Sequence, residues 1–146
     1  MTKLNHLAVL LSAALYWLLG GLWYALFSAP FVRLMRWTPE DLARVEQQSH
    51  ARELGVAFAV SLLTAYVLAH FVRLAGARSV FDGVRTGLLA FVGFVLTTNL
   101  STVLFESRPL GLYLINSGYH LVAFLLMGAL LAAWRRQEVN SLAYQN

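Results

Sequence analysis

Four stretches of the chain carry no Asp, Glu, Lys or Arg. They run Leu4–Val32 (29 residues), Leu54–Val72 (19), Thr86–Phe105 (20) and Pro109–Trp134 (26). A helix rises about 1.5 Å per residue, so each stretch is long enough to cross about 30 Å of hydrocarbon. Helices of a soluble bundle would each keep a charged face, and transmembrane strands would alternate polar and apolar residues over ~10 positions. None of the four does either. The pattern predicts an all-α, integral membrane four-helix bundle in one domain, 1–146. Its spans fall at about 5–27, 54–74, 84–105 and 110–134, with an extramembrane loop at 33–53 and a polar, fraying tail at 135–146. The first run outlasts the roughly 7–15-residue core of a cleaved leader, and Phe27-Ser28-Ala29 lacks the small residue three back from a cut. The first helix is therefore expected to stay.

The connections carry their own signals. Arg33–Glu53 holds 8 of the 18 charged residues and contains a helix start, with Thr38 as N-cap, Pro39 at the first helical position, and Glu40 and Asp41 at the positive end of the dipole. Trp37 and Leu42 are spaced as a hydrophobic staple. Phe31, Trp37, Leu42 and Val45 would suit a short amphipathic helix lying in the headgroup region, with a solvated surface helix as the alternative. Between the second and third spans, Gly76, Asp82 and Gly83 read as turn or cap residues. Glu106-Ser107-Arg108-Pro109 is so short a link that the third and fourth spans must form an antiparallel hairpin, which Pro109 opens.

Composition sharpens this picture. The chain is 59% hydrophobic and 12% charged over 146 residues, with no Cys, and its mean hydropathy is +0.63. A soluble domain, a disordered chain, a disulfide scaffold and thiol chemistry are thereby set aside. The sequence pI of about 9.9 comes from Arg flanking the spans, which suits anionic lipid better than nucleic acid. Lys3, Arg73, Arg78, Arg85, Arg135 and Arg136 fall on one side and Arg33, Arg36, Arg44, Arg52 and Arg108 on the other. Three of the first set flank one very short connection, which predicts both termini in the cytoplasm.

Polar groups inside hydrocarbon are costly unless paired, so they are expected where helices face each other. The third span has Thr97, Thr98, Asn99, Ser101 and Thr102; the fourth has Tyr113, Asn116, Ser117, Tyr119 and His120. Asn99 and Asn116 each lie seven residues from the hairpin turn, roughly 10 Å below one surface, and are expected to pair across it. His120 lies deeper, near mid-membrane, where an ionisable group marks a functional site by default. Its plain reading is helix–helix glue to a Thr or Asn of the third span. Asn99, Thr102, Asn116 and His120 are thus the candidate intramembrane site, with Glu106 and Arg108 at its mouth, either as an ion or substrate contact or as a local surface salt bridge. Tyr66, His70 and Arg73 share a face of the second span and form a secondary candidate. The four histidines stand at unequal depths, so no metal set forms, and a bis-His haem on His70 and His120 would need ligands ~10 Å apart in height. No cofactor, catalytic signature or phosphate-binding loop is found. Gly20 and Gly21 beside Tyr16, Trp17, Trp23 and Tyr24, and the pair Gly83 and Gly87, permit close helix approach, with the aromatics as a bundle plug or an interfacial belt.

Several runs also carry a resemblance. Gly20-Gly21-Leu22-Trp23-Tyr24, Thr38-Pro39-Glu40-Asp41-Leu42, Tyr66-Val67-Leu68-Ala69-His70, Leu104-Phe105-Glu106-Ser107-Arg108-Pro109-Leu110 and Leu114-Ile115-Asn116-Ser117-Gly118-Tyr119-His120 together resemble the bacterial integral membrane family catalogued as domain of unknown function seventeen sixty-one. The resemblance spans about Leu4 to Trp134 and implies a four-helix domain of a bacterial inner membrane, with no activity, cofactor or site residue to carry over.

Three functions follow in order of expectation. The first is a non-enzymatic helix bundle that binds membrane lipid or a protein partner, as a homo-oligomer or with another membrane protein. The second is a small transporter or channel subunit whose polar pathway runs between the third and fourth spans. The third is an intramembrane enzyme with His120 as base, which lacks an accompanying nucleophile.

Overall fold

The computed structural model describes the backbone of residues 4–143 and the side chains of residues 4–135. Lys3, Arg136 and most of the predicted polar tail therefore lie outside the described side chains. All regular structure within these bounds is helical: α1 His6–Leu26, α2 Ser28–Met35, α3 Pro39–Gln47, α4 Ala51–Leu74, α5 Val80–Ala90, a π-helical segment Phe91–Leu96, α6 Thr97–Leu104 and α7 Leu110–Ala143. Four helices are long and apolar enough to span a membrane: α1, α4, the continuous run Val80–Leu104, and α7 up to Arg135. The chain is a multi-pass membrane protein built as a four-helix bundle.

Helix boundaries follow local chemistry. Asn5 caps α1 by accepting from the amides of Leu7 and Ala8 at 2.9 and 3.2 Å. The charge-free run through Val32 is not one helix. Pro30 has no N–H and its ring clashes with the carbonyl four residues back, which is Leu26, so α1 stops there and α2 restarts at Ser28. Arg36 closes α2 in the left-handed region (φ 55°), where its amide and that of Trp37 reach back to the carbonyls of Arg33 and Val32. Thr38 then starts α3 as expected, in a reciprocal capping box with Asp41 behind Pro39. α3 packs against no other described helix, and Leu42 and Val45 on it are half-buried.

Gly76 (φ 66°) ends α4, with its own amide and that of Ala77 bonded to Arg73 and Val72. A second capping box, Ser79 with Asp82, opens α5. The third span accordingly begins about four residues earlier than position 84, and Gly83 is a helical residue, not a turn. α7 likewise runs past Trp134, through Ala143.

α7 is the central element, touching α1, α2, α4, α5 and α6, whereas α1 and α5 stay apart. Its closest neighbour is α5. A Cβ on Gly83 would lie 2.1 Å from the carbonyl oxygen of Gly128, one on Gly87 2.2 Å from that of Phe124, and one on Gly128 2.2 Å from that of Gly83. Three glycines thus bring the two backbones into direct contact, the small-residue packing that membrane helices favour. The core beneath is small-sided, with Ala13, Ala65, Ala123, Met127 and Ala132 fully buried. On the side of the chain's first residues, Arg135 Nη1 donates towards the carbonyls of Val72, Arg73 and Ala77 at 3.1–3.3 Å. It ties α7 to the end of α4 and the turn after it, adding a charged donor to carbonyls of which those of Val72 and Arg73 already accept backbone amides.

Candidate functional site

Tyr16, Gly20 and Tyr24 are spaced by four and share one face of α1. That face meets Asn116, Tyr119 and His120 of α7. The Tyr24 hydroxyl donates to Asn116 Oδ1 at 2.7 Å, the Tyr119 hydroxyl donates to the Tyr16 carbonyl at 3.1 Å, and the Tyr16 hydroxyl lies 2.7 Å from His120 Nδ1. Trp23 Nε1 donates to the carbonyl of Ile115 at 3.0 Å. The rings cluster: Tyr16 and Tyr119 stack with centroids 5.2 Å apart, while His120 and Tyr24 meet Tyr119 at a tilt, at 4.7 and 5.8 Å. Gly20 makes room for this, since a Cβ there would stand 2.9 Å from the Tyr119 hydroxyl.

The polar face of α7 therefore turns to α1. The expected Asn99–Asn116 pair does not form, and His120 bonds Tyr16 in place of a third-span Thr or Asn. The reason lies in the third span itself. Its hydroxyls fold back on their own helix: Thr97 donates to Gly93 O at 2.8 Å, Thr98 to the carbonyls of Phe94 and Val95, Ser101 to Thr98 O and Thr102 to Asn99 O, both at 2.7 Å. Thr97 and Thr98 serve the π-helical segment, whose altered register loosens the regular ladder. Tyr113 crosses the hairpin to donate to Leu96 O at 3.0 Å. Hydroxyls satisfied in this way can face lipid, and Thr97, Thr98 and Ser101 are exposed while Asn99 and Thr102 are half-buried.

Glu106 and Arg108 form a 2.9 Å ion pair at the exposed turn. Arg108 also borders a separate cleft of about 390 Å³ with Leu34, Arg36 and Leu112. The secondary candidate is assembled only locally: His70 Nδ1 donates to the Tyr66 carbonyl at 2.9 Å and their rings lie 4.6 Å apart, with Tyr66 exposed on the outer face of α4. Among the described residues no three His, Asp or Glu side chains converge as a metal site.

Behind the tyrosine–histidine network lies a laterally open cavity of about 750 Å³ between α1, α4 and α7. Tyr16, Trp17, Tyr24, Tyr119 and His120 line one wall and Leu54, Ala57, Val60 and Ser61 the other. It is open to the side, since the first ten residues of α4, Ala51–Val60, are exposed except for half-buried Phe58. Trp17 bridges the gap, donating to the carbonyl of Leu54 at 3.1 Å and meeting Phe58 edge-on at 6.1 Å. The Tyr-x-x-x-Gly-x-x-x-Tyr spacing on α1 was the available sequence signal for this site.

The fold and the cavity define a class: a multi-pass helical membrane protein whose bundle holds a lateral, aromatic-walled chamber. The chain belongs to the family described as Protein of unknown function (DUF1761), whose model matches residues 7–132. No curated protein and no solved structure matches it.

Proposed function

We propose that this protein is a non-enzymatic membrane protein that binds an apolar, membrane-resident ligand in the cavity between α1, α4 and α7. The observation that carries the reading is the cavity itself: about 750 Å³, the size range of ligand sites, walled by aliphatic and aromatic side chains with a few hydroxyls and one imidazole. A chain entering from hydrocarbon needs no aqueous route and loses little solvation. Binding also fits the state of the polar groups, since the hydroxyls of Tyr16, Tyr24 and Tyr119 are each engaged within the bundle. The transporter alternative is weakened by the separation of its residues, because Asn116 and His120 face α1 while Asn99 and Thr102 lie on the third span.

Native mass spectrometry of protein released gently from nanodiscs tests this. A retained lipid-sized adduct is expected on the wild-type chain. Ala57→Trp places an indole in the cavity at an exposed position of α4 and should remove most of that adduct without unfolding the bundle. An adduct unchanged by Ala57→Trp, or none on the wild type, would overturn the proposal.

A further inference from the structure

The geometry points to a neutral carbonyl compound on an apolar tail, of the isoprenoid quinone class, as the ligand of this cavity, held by a hydrogen bond from His120 Nε2. This rests on the cavity being a binding site, and adds what its ligand must present.

The first step is the direction of the Tyr16–His120 hydrogen bond. A phenol is the stronger acid and an imidazole nitrogen the stronger acceptor, so the Tyr16 hydroxyl donates to Nδ1 across 2.7 Å. The Tyr16 ring is buried, stacked on Tyr119 and met edge-on by His120 and Phe124, which holds its hydroxyl at Nδ1. With Nδ1 accepting, neutral His120 carries its proton on Nε2. The bundle gives that N–H no partner among the described residues, and His120 lines the cavity. A ligand acceptor would satisfy it, which is worth more in hydrocarbon than in water because the alternative is an unpaired donor.

The second step is depth. Tyr16 lies ten residues from both ends of α1 and His120 ten residues into α7, each about 15 Å from the helix end and thus at the midplane of ~30 Å of hydrocarbon. Ester carbonyls of a glycerolipid are anchored near the headgroups and do not reach the midplane. A small neutral ring with carbonyl oxygens and an apolar tail does. The half-buried rings of Trp17 and Tyr119 on the cavity wall offer such a ring aromatic contact.

The test measures saturable binding to nanodisc-embedded protein, above an empty-nanodisc control, of a decyl-substituted benzoquinone and of decylbenzene, which has the same tail and no carbonyl. The quinone is expected to bind at least about fivefold more tightly, and His120→Leu to erase that preference while leaving decylbenzene binding unchanged. Infrared spectra of carbonyl-labelled quinone on the unaltered protein give a readout that needs no variant: one carbonyl band should move to lower wavenumber. Equal binding of the two probes with no band shift would overturn the carbonyl assignment while leaving the cavity a binding site. Quinone binding that His120→Leu leaves intact in a folded protein would overturn the role of Nε2. No binding of either probe, together with no lipid adduct, would sink both this inference and the function it rests on.

Discussion

At the scale of single residues, His120, Asn116 and the α1 tyrosines find partners that sequence spacing alone does not name. His120 was legible as an unusual mid-membrane group, but its partner, Tyr16, lies 104 positions away on a helix whose aromatics also suit a plug or a belt. Periodicity says which residues of one helix share a face and is silent on which helix that face meets. Tyr16→Phe should cost the fold about 0.5–1 kcal/mol, the usual worth of an interhelical hydrogen bond in a membrane, as read by unfolding in mixed micelles; an unchanged midpoint would mean the hydroxyl is not engaged. The Thr38–Asp41 capping box, by contrast, was nearly complete in the sequence because all its parts are local. Backbone and hydroxyl hydrogen bonds from Thr38 hold the Asp41 carboxyl below the ordinary carboxylate range. A group with a depressed folded pKa lends stability that is present above the unfolded value, near 3.9, and disappears as pH falls through the folded value. Amide protection in α3, taken relative to the intrinsic exchange rate at each pH, is therefore expected to hold down to about pH 4 and to fall below it, while in Asp41→Asn this acid-induced step should vanish.

Helices as units show why the spans could be read and their packing could not. Charge-free length fixes a span, since an unpaired charge in hydrocarbon is excluded whatever the neighbours are. Its ends depend on details such as Pro30 stopping α1 at Leu26, and its partners depend on small residues whose role is visible only once two backbones meet. Gly83 reads equally well as a turn glycine or as half of a packing pair with Gly87. In the bundle both press on α7, with no room for a Cβ. Gly87→Val should accordingly cost at least about 2 kcal/mol, because the clash is with backbone atoms of Phe124 that cannot rotate away. Gly55→Ala is the matched comparison: it meets open space on α4 and should stabilise the helix by about 0.5–1 kcal/mol. Equal effects from the two substitutions, measured by the same unfolding assay, would mean that α5 and α7 do not cross as closely as described.

The whole molecule has two unlike ends, and the difference bears on how it sits in the membrane. At one end the start of α1, the Ala75–Ser79 turn and Arg135 come together, bound by the Arg135 guanidinium on three carbonyls. At the other lie α2, the unpartnered α3 and the Glu106–Pro109 turn, together with the exposed first turns of α4, whose Leu54 and Ala57 line the lateral cavity. The first end carries Arg73, Arg78, Arg85 and Arg135 on or beside short connections, where positive charge governs orientation most strongly. We propose that this end faces the cytoplasm and that α3 lies along the opposite surface. The chain has no Cys, so single cysteines report orientation without background. Gln48 and Ala75 are both exposed, one in each end's connection. A membrane-impermeant maleimide should label Gln48→Cys in intact spheroplasts and reach Ala75→Cys only after permeabilisation. The reverse pattern would invert the protein, put α3 at the cytoplasmic surface and overturn the proposed orientation.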